Sequence, residues 1–167
     1  MYQPYPSGGQ ESVPQRPAAP QSVLTAVKFM YAGAALSAIE IIIGLLTVGS
    51  LQSAIRTQFP AYTTQQIHQA EIAELVVIVV IGLLALGLWL WMARANGAGR
   101  SWARIVATVL FALSTLDLLL VVARPHASVG LLLDLVVWLV GLGAIVFLWR
   151  KDSSAYFQAA SQPRAAR

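Results

Sequence analysis

Between Glu74 and Arg94 the chain carries no charged side chain, reading LVVIVVIGLLALGLWLWMA. A run of that length exceeds any ordinary strand, and as a helix it has no polar face to turn toward water. About 20 such residues are what the hydrocarbon core of a bilayer requires. The run closes on a Trp collar (Trp89, Trp91), and a short Gly-containing loop follows with Arg94, Arg100 and Arg104. A second apolar run then begins. Aromatic rings with a polar edge suit the headgroup layer, and short Arg-rich loops stay on the cytoplasmic side. The segment from Trp89 to Val106 therefore reads as a cytoplasmic hairpin between two membrane helices.

Composition excludes the soluble alternative. Of 167 residues 57% are hydrophobic and 11% charged, against roughly 25% charged in a soluble domain. With no cysteine there are no disulfides, thiolate metal sites, Cys nucleophiles or lipidated Cys. The net charge of +4 invites a nucleic-acid reading. The basic residues flank apolar segments, however, and no basic run is interleaved with aromatics, so an anionic lipid surface explains them and nucleic acid does not.

The expected fold is all-α, a four-transmembrane-helix bundle with a disordered N-terminal tail and a short polar C-terminal tail. Residues 1–22 are rich in Pro, Gln, Gly and Ser and have no apolar cluster to offset the entropy of ordering. Their pattern is also not that of a secretory signal. The membrane domain is expected over 23–151, with helices at about 23–49, 64–94, 102–124 and 128–150, and residues 152–167 as a cytoplasmic tail whose Tyr156 and Phe157 touch headgroups. Ser22 is the expected first N-cap, residues 48–63 the first outer loop, and Thr63 with Gln66 a capping box opening the second helix. In the first helix Gly33, Ser37, Glu40, Gly44 and Thr47 share one small, polar face that should point inward.

Charge asymmetry orients this arrangement. With both termini inside, Arg16, Lys28, Arg94, Arg100, Arg104, Arg150, Lys151, Arg164 and Arg167 are cytoplasmic, leaving only Arg56 and Arg124 outside. Short loops with that bias belong in the cytoplasm. Arg94, Arg100, Arg104, Arg150 and Lys151 are the expected contacts to anionic lipid.

Within the apolar runs lie Glu40, Asp117 and Asp134. At 1.5 Å per residue they sit ~18, ~20 and ~22 Å from the cytoplasmic side, in one layer contributed by different helices. An ionised acid there costs about 2.5–3.5 kcal/mol on insertion scales, so such groups face the interior, find a partner or are protonated. Three readings follow. The acids bind protons or cations; or they bond to Ser37, Ser114, Thr115 or backbone carbonyls and set helix register; or they meet a basic residue of another membrane protein. Arg124 is the nearest base able to reach inward. His68, Glu71 and Glu74, at steps of three, have ligand chemistry, although a solvated helix start accounts for them.

No HExxH, GxSxG, Walker loop or strand-borne GxGxxG is present. A non-enzymatic accessory or scaffold protein without a cofactor is therefore expected, its partners being the bilayer and another membrane protein or itself. Small-residue faces such as Ala103 and Ala107 are candidate contacts for association. The alternative is a small transporter or channel-like subunit using the intramembrane carboxylates. The Tyr- and Pro-rich start MYQPYPSGG, the collar LWLWMARANGAGRSWARI and the closing RKDSSAYF together resemble the small four-helix membrane proteins of uncharacterised function found in actinobacteria. The resemblance implies a bacterial plasma membrane and no particular activity, cofactor or site residue.

Overall fold

The computed structural model describes residues 18–123 and 129–161, and every regular element among them is helical. They are α1 (Gln21–Gln58), α2 (Thr64–Gly97), α3 (Ser101–Val122), α4 (Val129–Leu148) and α5 (Lys151–Ser161). Four of these contain stretches long and apolar enough to cross a membrane: Gln21–Thr47, Thr64–Gly97, Ser101–Val122 and Gly130–Leu148. The protein is an all-α, multi-pass membrane bundle.

The two N-terminal helices outrun the bilayer. At 38 and 34 residues, α1 and α2 would be ~57 and ~51 Å long, against a hydrocarbon core of ~30 Å. The expected loop 48–63 is thus helical as far as Gln58, and only 59–63 form the turn. Hydroxyl side chains allow this instead of breaking the helix, because Ser50, Ser53 and Thr57 donate back to the carbonyls of Thr47, Ser50 and Ser53 at 2.6, 2.7 and 2.9 Å. Pro60 then ends the helix, and Phe59 stacks on Tyr62 with ring centroids 4.8 Å apart. The capping box is present: the Gln66 amide donates to Thr63 Oγ1 at 3.3 Å, and the Thr63 amide donates to Gln66 Oε1 at 2.9 Å. Ser22 is not a cap. The helix begins at Gln21 behind Pro20, with no side-chain cap.

Helix α1 lies between α2 and α4, and α3 packs on the far side of α4, while α2 and α3 meet over only a short stretch. Glycines set the closest approach. A Cβ on Gly33 would stand 2.6–2.8 Å from three carbons of the Trp89 indole, one on Gly44 2.8 Å from Ile78, and one on Gly143 2.9 Å from Phe29. Small residues drive helix association in lipid in this way, by letting large neighbours seat against bare backbone. Trp89 is thereby drawn inward and does not join the interfacial collar. That belt is instead formed by Trp91 and Trp102, whose rings sit 5.4 Å apart and are exposed.

The basic end, where the 98–100 turn lies, holds the tight core. Val23, Ala26, Met30, Met92, Ala93, Ala107, Ala144, Leu148 and Phe157 form one buried cluster there. Ala103 and Ala107 belong to that interior and are not a surface for association. Toward the opposite end Ile67 is the one buried hydrophobe among the described residues, and apolar side chains such as Leu46, Leu113 and Leu132 are exposed, as suits a surface facing lipid.

Of the segment expected as a polar tail, 152–161 belong to α5, folded back beneath the bundle, and 162–167 lie outside the described residues. Phe157 is 1% exposed and Ser153 fully buried. The Ser153 hydroxyl donates to the Phe147 carbonyl at 2.7 Å and lies 2.8 Å from the Ser22 hydroxyl. Phe157 therefore packs into protein and not into headgroups.

Candidate functional site

The three intramembrane carboxylates sit on α1, α3 and α4, in the loosely packed half of the bundle. Asp134 stands close enough to Glu40, and Asp117 to Asp134, for their charges to interact. Glu40 is half-buried, whereas Asp117 and Asp134 are exposed on the chain's own surface. The single ion pair among the described residues is His68–Glu71, so no base pairs with any of the three acids there. Neither do they bond to the hydroxyls proposed for them. Thr115 donates to the Phe111 carbonyl at 2.8 Å and accepts from Trp138 Nε1 at 2.9 Å, an α3–α4 tie. Arg124, the candidate counter-base, lies outside the described residues.

Glu40 lines a cavity of about 270 Å³ between the four spans. Ser37 and Ser114 join it there, while Asp117 and Asp134 are not among the lining residues. The remaining wall is apolar: Ala85, Leu88, Trp89 and Met92 from α2, Phe111 and Leu110 from α3, Trp138, Gly141 and Ile145 from α4. Met30, Met92, Ala107 and Ala144 line it and belong to the buried core, so the pocket is blind toward the basic end. Of the inward face expected on α1, Gly33 and Ser37 are buried, Gly44 packs on Ile78, and Thr47 is exposed with its hydroxyl bonded back to the Ile43 carbonyl at 2.9 Å.

The five basic residues expected to contact lipid divide. Arg94, Arg100, Arg150 and Lys151 are exposed. Arg104 is half-buried and engaged within the protein: it donates to Ser154 Oγ at 2.9 Å, and its guanidinium lies 4.2 Å from the Trp149 ring and 5.4 Å from that of Phe157. Such stacking suits a planar, weakly hydrated cation. Its Nε is buried without a partner. Asn96, expected in the loop between the second and third spans, is fully buried in the last turn of α2 and donates to the Met92 carbonyl at 2.9 Å. An amide among small residues just before Gly97 is a weak signal that only packing explains.

His68 Nδ1 lies 3.7 Å from Glu71 Oε2, both on the projecting part of α2. Among the described residues no group of three His, Asp or Glu side chains is placed to hold a metal ion. No family model, curated protein or solved structure matches the chain.

Proposed function

We propose that the chain is a non-enzymatic accessory protein of a bacterial plasma membrane, with both termini cytoplasmic, that binds another membrane protein through Asp117 and Asp134. One observation carries this reading: two carboxylates at membrane depth are exposed on α3 and α4, with no counter-ion among the described residues. Lipid cannot solvate such groups, and a helix carrying a basic or hydrogen-bond-donating side chain can. The partner is a different protein, because within the described spans this chain's own bases, Lys28, Arg94 and Arg104, lie toward the basic end and not at that depth. Coupled transport is the rival, favoured by Glu40 in the cavity wall. The closed core at the basic end weighs against it, because a conducting path needs polar groups across the whole span.

A photoreactive residue in place of exposed Leu120, one turn from Asp117, tests the contact in native membranes. The expected product is an adduct with a second protein, whose yield falls about tenfold when Asp117→Asn is combined with Asp134→Asn, the equivalent of one lost charge-assisted bond. An adduct of two 17.9-kDa chains, or none, would remove the proposal.

Orientation has a separate test, made simple by the absence of cysteine. Ala61→Cys should react with a membrane-impermeant thiol reagent on intact cells, and Ala98→Cys only after permeabilisation. The reverse pattern would invert the bundle.

A further inference from the structure

The cavity has no role in partner docking through Asp117 and Asp134. We infer that it is a binding site, reached from the lipid phase, for a small amphipathic amine with an apolar body and a single cationic head. Its volume, about 270 Å³, lies just under the ~300–1,000 Å³ usual for ligand pockets. That admits one ring or a short chain and excludes a whole phospholipid.

The wall sets the ligand's body. Trp89, Phe111 and Trp138 give it aromatic faces, and Met30 and Met92 supply flexible thioethers that adapt to irregular shapes. Trp89 is fixed by its fit against Gly33, and Trp138 by its bond to Thr115. Two of the aromatic faces are thus in place before a ligand arrives, which lowers the ordering cost of binding.

The polar groups set its head. Glu40, Ser37 and Ser114 are the only lining side chains with oxygen atoms. Glu40 has no ion-pair partner among the described residues, and the nearby charge is that of another acid, Asp134. A carboxylate ligand would be repelled by both. An ammonium is attracted by both and gains further from aromatic faces in a mostly apolar site.

The route in lies between α2 and α3. These helices meet over only a short stretch, and Leu88 on α2 and Ser114 on α3 each line the cavity while remaining exposed. The pocket's closure at the basic end excludes that end as the way in.

The test uses the full chain in nanodiscs, with 4-phenylbutylamine as probe and 4-phenylbutanol and 4-phenylbutyrate as its neutral and anionic counterparts, read by calorimetry against empty discs. Saturable binding of the amine is expected, and of the carboxylate none. Glu40→Gln should weaken the amine about tenfold while leaving the alcohol unchanged, because only a charge-assisted contact is removed. Ser114→Phe, a filling change at an exposed position that the fold tolerates, should abolish binding of both. An amine that binds no better than to empty discs, equal affinities in wild type and Glu40→Gln, or binding that survives Ser114→Phe would overturn the assignment. These variants leave Asp117 and Asp134 in place and the partner contact is read by a different assay, so failure here leaves that contact to its own test.

Discussion

Gly33→Ala should lower the melting temperature of the purified protein, whereas Gly87→Ala, the same chemical change two turns from the end of α2's apolar run, should leave it unchanged or raise it. Both substitutions remove a flexible residue from a helix, which alone stabilises by up to ~1 kcal/mol. They differ in what the new methyl group meets. At Gly87 nothing lies within 4 Å, whereas at Gly33 three indole carbons of Trp89 lie within 2.8 Å. Toward α4 the ring has little room to retreat, because one edge already lies 3.7 Å from where a Cβ on Gly141 would stand. Either the helices separate or the ring leaves its seat for the cavity it lines. Taking that propensity gain from an overpacking cost of about 2–3 kcal/mol leaves a net loss of about 1–2 kcal/mol, a fall of roughly 2–8 °C in a protein of this size. Thermal unfolding followed by tryptophan fluorescence in one detergent would decide it. Equal shifts for the two variants would mean that Trp89 is not seated on Gly33.

That contact also marks how far the sequence could be read. Four spans, their order and the basic turn were legible because hydropathy over some 20 residues is a bulk property that no local packing choice can overturn. A collar read from residue type alone misplaces Trp89. Trp89 and Trp91 are two positions apart, about 200° around a helix, so when one side packs on protein only the other ring faces lipid. Gly33, already expected on the inward face of α1, was the other half of the signal.

Residue counting gives the three acids a depth and no direction. It puts Glu40, Asp117 and Asp134 at one level. Which of them lines a cavity depends on helix rotation, and a chain apolar all round records little about rotation. Helix α1 alone carried a legible face, through Gly33, Ser37 and Glu40. On α4 Asp134 is isolated among aliphatic residues, and on α3 Asp117 has only Ser114 and Thr115 before it, so little in those segments tells an interior position from one facing lipid or a partner.

Phe157→Ala should release α5 without unfolding the spans. Truncating a buried Phe costs about 3–5 kcal/mol when the structure stays together. An 11-residue helix is too short to persist alone in water, and its other ties are few: Arg104 to Ser154 at 2.9 Å, Tyr156 Oη to the Gly97 carbonyl at 3.3 Å, and the Ser153 contacts. The loss therefore exceeds what holds α5 in place, and undocking is the cheaper response. Trypsin should then cut after Arg150 and Lys151 under conditions in which the wild type stays intact, with only a small fall in the melting temperature of the bundle. Phe157→Leu, which restores most of the apolar volume, should return much of the protection. The same undocking removes the Ser154 acceptor and one aromatic face from Arg104 and uncovers Gly99. At φ +72°, Gly99 holds the turn in a backbone region that L side chains avoid, with Tyr156 and Ala160 where a Cβ would go. A cut pattern in Phe157→Ala identical to wild type would show that the cap is held by its polar ties and not by this ring.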